Sequence, residues 1–165
     1  MAFDVTEWIN SKLGSALDEK AIKSIKDFSL VWNIFEDRAC DNNPSVAMLE
    51  KFVDRISDSL VAAEEITTNT FEYFDKKYVE KHKINLRYTF LNLKGSDNPA
   101  FVENTLLAES PSLRDKALAS LIIVSRYRNN LYHALTDMTQ IHEQKENFRV
   151  ANRFLATVLE ISGLI

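Results

Sequence analysis

The chain has 165 residues, 20 basic against 24 acidic, with 45% hydrophobic and 27% charged residues. That is enough chain for one domain with a real core, and its composition is ordinary for a globular protein. Three scattered glycines, three prolines and one cysteine exclude a turn-dense barrel or sandwich, a glycine-rich phosphate loop and an intrachain disulfide, and a net charge of −4 argues against broad coating of duplex DNA. No apolar run approaches the roughly 18 residues of a membrane span. The opening Met-Ala-Phe-Asp-Val-Thr-Glu lacks the basic start and apolar core of a secretion signal. With a lone thiol, Cys40, the expectation is a soluble cytoplasmic protein in a reducing compartment.

Asp4 is placed to cap a short first helix ending near Gly14, with Trp8 and Ile9 on its apolar side. Asp18 can cap a second helix reaching about Cys40, in which Ile25, Phe28, Trp32 and Phe35 fall at helical spacing and read as core. Pro44, after Asp41-Asn42-Asn43, marks the start of a third, with Val46, Leu49, Phe52, Val53, Ile56 and Leu60 inward. Thr67-Thr68-Asn69-Thr70 is a poor helix former and predicts a bend, before a helical piece from Phe71 to Glu80. Ile84, Leu86, Tyr88, Phe90 and Leu91 alternate loosely, compatible with a short extended segment, and Lys94-Gly95-Ser96-Asp97-Asn98-Pro99 reads as a loop. Ser110-Pro111 signals a helix start for the apolar stretch holding Leu113, Ala117, Leu121, Ile122 and Val124. Asp137 can cap a last helix with Phe148, Ala151, Leu155, Val158 and Leu159 inward. The expectation is a single all-α domain over residues 1–165, a bundle of five or six helices.

The histidines are His82, His133 and His142. None stands three residues after a glutamate, so the ligand pair of di-iron bundles is absent, and no metal or other cofactor is expected. His142 with Glu146 shares a helix face but lacks the second histidine of a zinc protease motif and reads as a solvated surface. Cys40 has no adjacent base and reads as a buried structural thiol.

The informative stretch is Arg126-Tyr127-Arg128-Asn129-Asn130-Leu131-Tyr132-His133, which follows a strongly apolar helix segment without a break. From Leu113 to His133 four basic residues (Arg114, Lys116, Arg126, Arg128) stand against Asp115 alone, a local +3 in an acidic protein. Buried charge is costly unless paired or used. The arginines either pair with acids and His133 sits satisfied in the core, or the cluster does chemistry.

The run Arg128 to His133 resembles the R-x4-6-H motif of the HEPN superfamily, including the polar residue after the arginine. The aromatic segment from Phe28 to Glu36 is similar to the early helix of Apea-like HEPN proteins, and the final helix fits as well. The resemblance implies an all-α bundle that dimerises with two motifs facing one cleft, and, for many members, metal-independent endoribonuclease activity in toxins or antiphage effectors, with an antitoxin or regulatory protein as a further partner. It implies His133 as the acid–base group, Arg128 as the phosphate ligand and Asn129 as an orienting residue. The chain departs from the pattern at Leu135, where one subgroup carries a tyrosine open to modification, and at Ala134, where glycine is frequent. A catalytically silent HEPN bundle binding a nucleotide or protein partner is the alternative, and a helical scaffold dimer a third reading.

The chemistry supports the residue types on its own terms. Cutting RNA without a metal needs the 2′-hydroxyl deprotonated, the phosphorane charge stabilised and the leaving oxygen protonated. Histidine transfers protons near neutral pH, and arginine offers a permanently charged fork to phosphate. One motif histidine per chain cannot conveniently be both base and acid, so a twofold homodimer would be useful. On an ideal helix Arg126, Asn129 and His133 share a face, whereas Arg128 lies roughly 140° from His133. The expectation is that both arginines contribute, Arg126 as a substrate-binding residue and Arg128 with the larger effect. Tyr132 and Tyr127 are candidates for stacking on an RNA base or packing at a dimer interface.

Overall fold

The computed structural model describes residues 3–14, 18–134 and 139–165, and for Leu13, 132–134 and 139–143 the backbone alone. Eight α-helices and one two-residue β-hairpin make up the regular structure of the described residues, apart from two short 3-10 turns. This is the all-α class. The order is α1 (Val5–Leu13), α2 (Glu19–Cys40), α3 (Val46–Arg55), α4 (Glu64–Tyr78), β1 (Val79–Glu80), β2 (Lys83–Ile84), α5 (Leu86–Thr89), α6 (Pro99–Leu107), α7 (Leu113–Ala134) and α8 (Thr139–Ser162).

Local chemistry sets the first boundaries. The Asp4 carboxylate accepts from Glu7 N–H at 2.9 Å, and Gly14 closes α1 with φ +61°. Ile9, together with Ile22 and Ile25, packs against Ala21 of α2, but Trp8 remains half exposed beside Phe3. Asp18 caps α2 at 2.6 Å, and the helix runs to Cys40, where Asp41 turns left-handed. Ser45 rather than Pro44 begins α3, its hydroxyl accepting from Met48 N–H at 3.3 Å. Two expectations shift for a physical reason. The threonine run is helical inside α4 because Thr67 and Thr70 are buried, and tertiary burial overrides weak propensity; the break falls instead between α3 and α4. α7 starts at Leu113 with Ser112 as its cap, two residues beyond the Ser110-Pro111 signal.

The region after α4 partitions by helical rather than alternating spacing. Val79 pairs with Ile84 and Glu80 with Lys83 across a turn whose central residues, Lys81 and His82, both take positive φ. His82 is thereby a turn residue. Leu86–Thr89 is helical and continues into a turn at Phe90 and Leu91: Leu86 and Phe90, four apart, are exposed, while Tyr88 and Leu91, three apart, are buried. Asn98 caps α6, with Pro99 at its first position, a helix not anticipated from sequence.

One contiguous core joins α2 through α8. Phe28 stacks on Phe148 with ring centroids 4.8 Å apart, tying α2 to α8, and Phe35 meets Phe52 edge-on at 5.2 Å, tying α2 to α3. Phe28, Trp32 and Phe35 are core residues, as are the five positions expected inward on α8. Helix α7 is the axis: every residue from Ala117 to Tyr127 is buried, with α3, α4, α6 and α8 around it. No described helix is long and apolar enough to cross a membrane.

Burial raises the Cys40 thiol from 9.0 to about 12, helped by the neighbouring Glu36 and Asp41 charges. Burial likewise lifts the Tyr73 phenol from 10.0 to about 12, with Glu146 adding to it. The folded state therefore holds protons that the unfolded chain releases between these values. Stability is intact below about pH 9 and falls as pH rises towards 12. Urea midpoints should be flat between about pH 7 and 8.5 and drop by about pH 10.5. Iodoacetamide should modify Cys40 slowly in the native protein and quickly in urea; rapid native labelling at neutral pH would contradict the buried thiol.

Candidate functional site

As α7 leaves the core its sequence turns polar, and consecutive residues point to different neighbours. Arg126 is 7% exposed. Its Nε donates to the Leu91 carbonyl at 3.2 Å, one Nη to Asn130 Oδ1 at 3.3 Å, and the other Nη lies 3.4 Å from the Asp97 carboxylate. Asn130 in turn donates to the carbonyls of Leu91 at 3.0 Å and Phe90 at 3.4 Å. These carbonyls end α5, where helical partners run out. Asp97 is itself held, accepting from Lys94 N–H at 2.7 Å. Arg126 and Asn130 thus form a clamp joining α7 to the end of α5 and the following loop. This corrects the expectation that Arg126 meets substrate: its donors are committed inside the protein.

Arg128 points the other way, two residues and roughly 200° around the helix. Its side chain is one-third exposed, and the guanidinium lies 3.7 Å from Glu36 Oε2 of α2 and donates to Asn129 Oδ1 at 3.4 Å. Glu36 Oε2 also accepts from the Trp32 indole N–H at 3.0 Å. The two arginines therefore do not converge on one point. Asn129 is half-buried next to Arg128. Position 133 lies on the last turn of α7, in phase with 126, 129 and 130. The side chains of His133 and Tyr132 lie outside the described residues, as do Leu135, Asp137 and the His142 side chain.

Tyr127 is not a base-stacking residue. It is buried, its hydroxyl 2.6 Å from that of Tyr78, and its ring meets Phe74 edge-on. Burial raises both phenols well above the usual range, Tyr127 foremost.

Over this tyrosine pair lies a cleft of about 440 Å³ between α4, α5, α7 and α8. Lys77 and Arg87 supply its charge, Asn130, Gln144 and Asn147 its amides, and Phe90 and Leu91 its apolar side. The Asn147 carbonyl oxygen accepts from both Tyr73 hydroxyl and Lys77 ammonium at 2.7 Å, and its NH₂ donates to Gln144. Among the described residues no carboxylate lines this cleft. Nor does any group of three or more His, Cys, Asp or Glu among them come together as metal ligands. Sequence reasoning missed Lys77, Arg87, Gln144 and Asn147 as a set, because four separate elements assemble the cleft and no local spacing signals it.

Comparison with family models, curated proteins and solved structures finds no match to this chain.

The two arginines separate in their expected effects on stability. Arg126→Ala removes the charged partner of Asp97 and one of the two donors to the Leu91 carbonyl, and should lower the unfolding free energy by about 3 kcal/mol. Arg128→Ala, at a partly exposed pair, should cost about 1 kcal/mol or less. Urea unfolding of the two variants checks this; equal losses would remove the distinction between clamp and surface residue.

Proposed function

We propose that this protein is a metal-independent endoribonuclease in which His133 is the acid–base group, Arg128 binds the scissile phosphate and Asn129 orients it. The observation that carries the reading is the placement of Arg128. It is a guanidinium on the last turns of a central helix, exposed enough to reach a ligand and next to a half-buried asparagine. The motif resemblance supplies the role of His133.

In this mechanism the 2′-hydroxyl loses its proton to an imidazole and attacks phosphorus. Arg128 neutralises the charge on the phosphorane, and a protonated imidazole gives its proton to the 5′-oxygen as the P–O5′ bond breaks, giving a 2′,3′-cyclic phosphate and a 5′-hydroxyl. Two imidazoles serve this better than one, so the active form is proposed to be a homodimer with motifs from both copies in one cleft. Arg126 acts at a remove, holding α5 and the Asp97 loop against α7. The resemblance supports a toxin or antiphage role in the cytoplasm, with an antitoxin or regulatory protein as partner.

The inward commitment of Arg126 favours one other reading, a silent bundle that binds its ligand without cutting. Single-stranded RNA incubated with the protein in excess chelator separates the two. Cleavage lost in His133→Ala, reduced at least about 100-fold in Arg128→Ala and retained per folded molecule in Arg126→Lys supports the nuclease. Full activity in Arg128→Ala, or none in the intact dimer, overturns it.

A further inference from the structure

We infer that the β1–β2 hairpin and α5 form a docking surface for an anionic lipid bilayer, with Leu86 and Phe90 entering the interface and Lys81, Lys83 and Arg87 meeting the headgroups. Charge is spread unevenly along this chain. Six of its 20 basic residues, but of its 24 acidic residues only Glu80, fall between Lys76 and Lys94. The whole chain carries −4, so an anionic surface that most of the molecule repels is attracted here. The charged side chains at the tip, Glu80, Lys81, Lys83 and Arg87, are all exposed.

The apolar part comes from α5 and the turn that follows it. Tyr88 and Leu91 enter the core, whereas Leu86 and Phe90, one turn apart, are each 73% exposed. Exposed apolar side chains scattered singly are ordinary; a neighbouring pair ringed by cations is a contact surface. Lys81, Lys83 and Leu86 line one groove between the hairpin and α5, and Arg87 and Phe90 lie on the rim of the cleft beside it. The platform is held in place. The Asn85 side-chain NH₂ donates to the Lys77 carbonyl at 2.9 Å, and Asn130 and Arg126 hold the carbonyls of Phe90 and Leu91. Contact therefore costs little ordering of the backbone. Leucine and phenylalanine flanked by lysine and arginine is the composition of an interfacial membrane segment. Leucine offers no stacking face to a base, and the hairpin tip encloses nothing, so the pair fits a bilayer rather than a nucleic-acid strand. The contact is peripheral: two side chains dip in and three charges hold.

This surface contains no residue assigned to bond breaking, and the inference does not rest on the nuclease reading. Flotation of the full-length protein with vesicles tests it. Vesicles of phosphatidylcholine with about one third phosphatidylglycerol should bind at least about tenfold more tightly than phosphatidylcholine alone, and binding should weaken steeply between about 0.1 M and about 1 M salt. Each basic residue near the surface is worth about fivefold, so Lys81→Gln, Lys83→Gln and Arg87→Gln together should weaken binding about 100-fold. Leu86→Ser with Phe90→Ser should weaken it at least about tenfold. Lys51→Gln with Arg55→Gln, exposed positions on α3, should leave it unchanged. All these side chains are exposed, and matching urea midpoints check that the variants keep the fold. Equal binding to the two kinds of vesicle, an equal loss in the α3 variant, or no loss in the Leu86 and Phe90 variant overturns the inference. So does the remaining outcome, in which vesicles are ignored and the three charges instead hold single-stranded RNA offered to the His133→Ala protein. Chelator-resistant cleavage is read separately and stands or falls without these results.

Discussion

Helix α7 is buried on every side from Ala117 to Ile123, with Ser120 its one polar residue there, and a helix of that kind is stable only when other elements enclose it. The remaining helices are arranged to meet that demand. α3, α4, α6 and α8 cover it, and α2 closes the bundle by packing along α8. Because 22 residues of α7 extend about 33 Å at 1.5 Å per residue, its end emerges from this enclosure. The chain becomes polar where it does so. Ser125 already satisfies its hydroxyl on the Ile122 carbonyl, and from Arg126 onward each polar residue must find a partner or solvent.

The enclosure is also what sorts the two arginines. Position 126 faces the short α5 and the loop after it, elements too small to hold themselves in place. α5 has four residues and ends in carbonyls without helical partners. A buried guanidinium with five donors can satisfy a carbonyl, an amide oxygen and a carboxylate together, and Asn130 one turn later adds a second link to the same carbonyls. The wall carrying Arg87 and Phe90 is therefore positioned from α7. The placement of the cleft wall depends on one helix end.

The long helices were legible because their signals are local. Asp4, Asp18 and Gly14 act on neighbouring backbone groups, and the aromatic spacing of α2 leaves one face to bury. The all-α class followed from these signals and from the scarcity of breakers. The misreadings share a different cause. Thr67 and Thr70 are weak helix formers locally, but they lie where α4 is covered by other helices. Ser112 wins over Ser110 by the placement of its hydroxyl, which composition does not reveal. Leu86, Tyr88 and Phe90 alternate in a way that suits a strand until the helical geometry of α5 divides them. The polar motif itself stood out, yet which arginine turns inward was not readable, since that depends on Asp97 and Leu91 being brought alongside from about 30 positions earlier in the chain.

The carboxylates facing the two arginines explain why one can release its partner and the other cannot. Glu36 already accepts from the Trp32 indole, so it stays in place and partly satisfied if Arg128 swings towards a phosphate. At 3.7 Å the pair is longer than a good charged hydrogen bond, and with the Arg128 side chain one-third exposed water compensates for its loss. Arg126 has no such freedom. Its departure would strip the Leu91 carbonyl and the Asp97 carboxylate of a common partner whose own side chain is shielded from solvent. The helix end thus carries one guanidinium committed inside the protein and one partly open to solvent.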